Sequence, residues 1–123
     1  MLNHTKRFYI EKVLDGSTFI GQFDLDFDIK LKKKVRLVNI VCHNTKVEKG
    51  VVARNFVENI CSDRRIFCRT FKDRYGKWSN VLGIIYLQDG DNQYINLNNL
   101  LVEKGLAVSM KGNNGDRNNE VLE

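Results

Sequence analysis

The chain contains no proline, and only three cysteines, two histidines and one tryptophan among 123 residues. Without proline, its turns must rely on Gly, Asn and Asp. Cys42, Cys61 and Cys68 are an odd number with no C-x-x-C pair. That argues against a disulfide framework and fits reduced thiols in a cytosol. Two histidines and three scattered cysteines also lack zinc-site spacing, so no metal is expected on that ground. No apolar run approaches the ~20 residues of a membrane helix, so membrane contact is not expected. The opening MLNHTKRFYIEKV has no apolar h-region, so no secretion signal is expected and the location expected is cytoplasmic.

What is present suits one globular domain. Hydrophobic residues make up 42% of the chain, too many for a disordered segment. A chain of this length buries roughly two-thirds of its unfolded surface, enough for one core. The domain is expected over 1–110. The Asn-, Gly- and charge-rich stretch 111–123 reads as a flexible tail. Lys plus Arg number 20 against 15 Asp plus Glu, a net charge of +5. That permits phosphate contacts without requiring them.

Periodicity predicts the elements. Phe8 to Leu14 is strand-like, Asp15-Gly16 is a turn signal, and Ser17 to Gln22 reads as a second strand. In FDLDFDIKL, Phe23, Leu25, Phe27, Ile29 and Leu31 alternate with Asp24, Asp26, Asp28 and Lys30, which predicts one apolar and one charged strand face. Lys32-Lys33-Lys34 is then the expected bend. Val35 to Val41 reads as a strand covered on both sides. Glu48 to Cys61 changes period: Val52, Phe56 and Ile60 recur every four residues beside Ala53 and Val57, predicting an amphipathic helix. Strands follow at 65–71 and 81–87, with a polar turn DRYGKWSN between them and a hairpin around Asp89-Gly90. Asn96 is placed to cap a short helix, Leu97 to Lys104, ended by Gly105. Short strands with a helix after the third predict a mainly β (α+β) fold, a five-stranded OB-type barrel with two or three helices.

Five stretches in order resemble one family: VLDGST (13–18), KKKVRLVNI (32–40), a helix from about Glu48, FKDRYGKWSNVLGIIY (71–86) and NLNNLLVEKGLAV (96–108). Together they resemble the staphylococcal (thermonuclease-like) nuclease domain. The long hairpin DLDFDIKLKKKVRL looks like the variant of phage and bacterial members, which implies a phage-encoded protein in a host cytoplasm. The family cuts DNA and RNA with bound Ca²⁺. That chemistry needs carboxylate oxygens for the ion, a general base for the water, and arginine forks for the charge that grows on the phosphate.

The resemblance places these roles on particular residues. The first metal carboxylate falls on Ser17 and the second on Val41. Cys42 follows, where only a backbone carbonyl is needed. The general base falls on Asn44, the first arginine on Arg36, and the second arginine on Asn80 in Ser79-Asn80. Only Arg36 keeps its side chain. Loss of one transition-state donor costs about 10²–10³ in rate, and such groups fail as a unit. The expectation is a catalytically inactive, pseudoenzyme form of the domain with no cofactor. Calcium enters only if that reading is wrong. A protein-binding role is the first expectation. A nucleic-acid-binding role is the alternative, through Arg36, Arg74, Tyr75, Lys77 and Trp78, since aromatics among bases stack on single strands. A metal nuclease with a relocated site is third.

Other signals read plainly. Asp24, Asp26 and Asp28 fit a solvated strand face better than a cation site. Cys42 and His43 are adjacent on an extended chain and point apart, so a nucleophilic pair is not expected. Asp89-Gly90-Asp91 lacks the frame of a calcium loop and reads as a turn.

Overall fold

A computed structural model describes residues 4–73, 75–77 and 81–110. The described elements are β1 (Thr5–Asp15), β2 (Thr18–Asp24), β3 (Lys30–Leu37), β4 (Ile40–Val41), α1 (Glu48–Cys61), β5 (Ile66–Phe71), β6 (Val81–Gln88), β7 (Tyr94–Asn96), α2 (Leu97–Glu103) and β8 (Val108–Ser109). Strands neighbour one another in the order β3-β2-β1-β5-β6-β7. A parallel pairing of β3 with β6, Val35 opposite Val81 and Leu37 opposite Gly83, closes five of them into a barrel. The expected barrel is therefore present, with two helices among the described residues. β4 and β8 form a separate antiparallel pair beside it.

The barrel interior is filled by the inward side of each strand. Phe8, Phe19, Val35, Cys68, Ile85 and Leu87 are fully buried there. α1 is as long as its period predicted, but its buried stripe is Gly50, Ala53, Val57 and Cys61. Phe56 and Ile60 flank it, and Val52 is half exposed. The four-residue row therefore marks the helix's flank, because the small residues are the ones that let the helix approach the strands closely. α2 is capped as expected: the Asn96 side chain accepts a hydrogen bond from Asn99 N. Its end bends back at Gly105 (φ +74°), where Leu106 N and Ala107 N both donate to Leu101 O.

Two strand expectations fail. FDLDFDIKL is not one strand. β2 ends at Asp24, whose Oδ1 accepts a hydrogen bond from Asp26 N (2.9 Å), and Asp26, Phe27 and Asp28 take left-handed conformations. Asx side chains compete with the ladder for backbone N–H groups and tolerate that region, so the chain turns here. Phe27 is left 92% exposed at the tip. Lys32-Lys33-Lys34 is consequently not the bend but the middle of β3, opposite Gln22, Gly21 and Ile20. The stretch Val35 to Val41 also breaks. Val38 donates to Gly83 O, and Asn39 (φ +66°) redirects the chain into β4. The tail from Lys111 lies outside the described residues.

Candidate functional site

The loops at one end of the barrel meet around the β1–β2 turn. There Ser17 donates twice to Asp15 Oδ1, from its backbone N (2.8 Å) and from its hydroxyl (3.1 Å). Leu37 N donates to Ser17 O (2.9 Å), tying the turn to β3. Gly16 has to be glycine at this point: a Cβ would lie 2.8 Å from Cys42 Sγ and 2.9 Å from Ala53 Cβ. The β4–α1 loop is thus pressed against the turn. The first turn of α1 is equally close, since a Cβ on Gly50 would lie 1.8 Å from Asn44 O.

The residues singled out by resemblance occupy distinct surroundings. Arg36 sits on the exposed side of β3, opposite Thr18 on β2 and Leu82 on β6. Ser17 is buried, at 4% exposure. Val41 pairs with Val108 and is 37% exposed. The Asn44 side chain is used locally, its Oδ1 accepting from Lys46 N (2.9 Å). Tyr75 and Lys77 are exposed in the β5–β6 loop, where both backbone N–H groups donate to Asp73 Oδ1. Arg74, Trp78, Ser79 and Asn80 lie outside the described residues, so neither the second-arginine position nor the full basic-aromatic loop is placed.

Cys42 is buried, and its thiol is pushed up to about 11, first by burial and then by the Asp15 charge, with a Ser17 hydrogen bond opposing. It is a neutral thiol near neutral pH. His43 beside it is exposed.

A hard divalent cation needs several converging oxygens. The side chains at the positions that the resemblance gives to metal ligands are a serine hydroxyl bonded to Asp15 and a valine. Among the described residues, no group of three His, Cys, Asp or Glu side chains converges. The donor set at this end does not fit calcium.

What the loops do enclose is a groove of about 520 Å³, lined by Val41, Cys42, His43, Glu48, Lys49, Val52, Gly105, Leu106 and Val108. Sequence reasoning missed it. The four-residue period assigns Val52 to the helix's buried stripe, and in the sequence Leu106 and Val108 are only the end of the stretch 96–108. Their half-exposed apolar character emerges only when β8 returns to pair with β4.

A profile of the staphylococcal nuclease homologue family matches residues 34–123. This chain belongs to the staphylococcal nuclease homologue family. The match begins inside β3, so the β1–β2 turn with Asp15 and Ser17 precedes it. No curated protein sequence matches the chain. The family is broadly one of nucleases, and the barrel above is the scaffold expected of it. No helix of the described residues is long and apolar enough to cross a membrane.

Proposed function

We propose that this member of the family does not hydrolyse nucleic acid and works by binding a protein. The observation that carries the reading is Val41. It stands at the position of a metal carboxylate, 37% exposed, and its surroundings are apolar. Val52 (50% exposed) and Val108 (63%) continue that surface. Their exposed area is suited to an apolar segment of a partner, while Glu48, Lys49 and His43 form a polar rim. Asn44 supports the same reading, since an amide is no base near neutral pH. Three unpaired buried thiols are in keeping with a reducing compartment such as the cytoplasm.

The test is incubation of purified protein with single-stranded DNA in millimolar Ca²⁺ and then Mg²⁺. The expected result is intact DNA in both. Metal-dependent cleavage that co-elutes with the protein overturns the reading.

A further inference from the structure

The outward side of the barrel carries a second surface, which shares no residue with the groove. In-register partners share a face of a sheet. Arg7 on β1 is opposite Phe67 on β5, Phe67 is opposite Tyr86 on β6, and Tyr94 on β7 is opposite Gln88 on β6. On the other flank, Tyr9 is opposite Gln22, and Gln22 is opposite Lys32.

These side chains touch in an unbroken strip. Lys30 Nζ lies 5.5 Å from the Tyr9 ring centre, and Arg7 Cζ lies 4.7 Å from the same ring and 5.9 Å from that of Phe67. Phe67 meets Tyr94 edge to face, with ring centres 5.8 Å apart. Arg69 lies beside the strip, 5.2 Å from the Phe71 ring and hydrogen-bonded to Tyr86.

Two facts mark this strip as more than packing. Arg7 Nε and Arg69 Nη1 are buried with no hydrogen-bond partner, a condition that native structures seldom leave unexplained. Neither guanidinium has a carboxylate partner, because the ion pairs among the described residues are Lys32–Glu11 and Arg64–Asp89. Of the acids nearby, Glu11 accepts from Gln22 Nε2 and is paired with Lys32. The strip therefore presents guanidinium groups that form no ion pair among the described residues, between rings that remain about 40% exposed, Tyr9 at 39% and Tyr94 at 41%.

We propose that this strip binds single-stranded nucleic acid, with bases stacking on Tyr9 and Tyr94 and phosphates meeting Arg7, Arg69 and Lys30. A duplex hides the faces of its bases and gains nothing from the rings. An acidic peptide would use the cations but not the rings. Rings interleaved with cations are the arrangement that suits a flexible strand without sequence preference. The site lies apart from the family's catalytic loops and needs no metal.

The test is fluorescence anisotropy in EDTA, so that cleavage cannot intrude whichever way the activity assay falls. The probes are a labelled oligothymidine of about twelve nucleotides, within the span of one such barrel, and a duplex of the same length. The expected result is tighter binding of the single strand, weakening steeply with salt. Tyr9→Leu and Tyr94→Leu should each weaken it about tenfold, and Arg7→Gln should flatten the salt dependence. Lys104→Gln, at the exposed C-cap of α2, should change affinity less than about twofold. Circular dichroism checks each fold; if Arg7→Gln unfolds, the exposed Tyr94 decides. The proposal is overturned by no binding at about 50 mM salt, by equal affinity for duplex, or by binding indifferent to both tyrosine substitutions.

Discussion

Asn98 shows how much one buried polar side chain can hold. Its Oδ1 accepts from Ile85 N (3.1 Å), and its Nδ2 donates to Gly83 O (3.1 Å) and Val38 O (3.3 Å). It thus joins α2 to β6 and to the break after β3. Asn98→Ala leaves Ile85 N and Val38 O short of a partner, while Gly83 O keeps Val38 N, and should cost about 2 kcal/mol, read as a drop in the urea midpoint at unchanged slope. The thiols act in the same buried setting. Burial raises all three, Cys42 to about 11 and Cys61 to about 12, and Cys68 is raised as well. The folded state therefore holds these protons more tightly than the unfolded chain does. Their contribution to stability is complete below the unfolded thiol range and is lost as pH rises through about 9 toward 11. Urea melts at pH 7, 8 and 10.5 should show little change over the first step attributable to thiols and a clear fall over the second. The residue types at the positions the resemblance picks out are legible in the sequence, and a valine or a serine cannot act as a carboxylate wherever it is placed. That Ser17 N and its hydroxyl both reach Asp15 Oδ1 was not legible, since this depends on how tightly the Asp-Gly turn closes.

At the scale of elements, α1 and the loop before it form one unit. The close approach at Gly50 sets the His43 and Asn44 backbone against the helix, so Gly50→Ala must push the two apart. The expected cost is about 3 kcal/mol, with the helix content kept and the thermal midpoint lowered. The helices were read almost to the residue from the sequence. Their period and caps are local signals, and Asn96 and Gly105 do the local work assigned to them. The β2–β3 hairpin was not, because alternation of apolar and acidic residues continues through a turn as readily as along a strand. Asp26, Phe27 and Asp28 obey the period but bend the chain. Phe27 has a conformation unfavourable to a bulky residue and little burial in return. Phe27→Asn should accordingly raise stability by about 0.5 kcal/mol, since Asn tolerates that region better, a gain that chemical denaturation can resolve.

At the scale of the whole molecule, the barrel is closed by the parallel pairing of β3 and β6, which brings Val35 to Val81 across 46 residues of chain. A calcium site filled at a hundred times its dissociation constant would add about 2.7 kcal/mol. With the donors described here, millimolar calcium or EDTA should move the thermal midpoint by less than about 1 °C, measured by scanning calorimetry. The sequence by itself determined the fold class and the residue types at the positions the resemblance picks out, because patterning and side-chain chemistry are local properties that survive any placement. The tertiary structure alone decided which exposed residues act together. Val41, Val52 and Val108 come from a short strand, a helix and a second short strand, and Arg7, Phe67 and Tyr94 from three different strands. Their neighbourhood depends on register and closure across long stretches of chain, which no local period encodes.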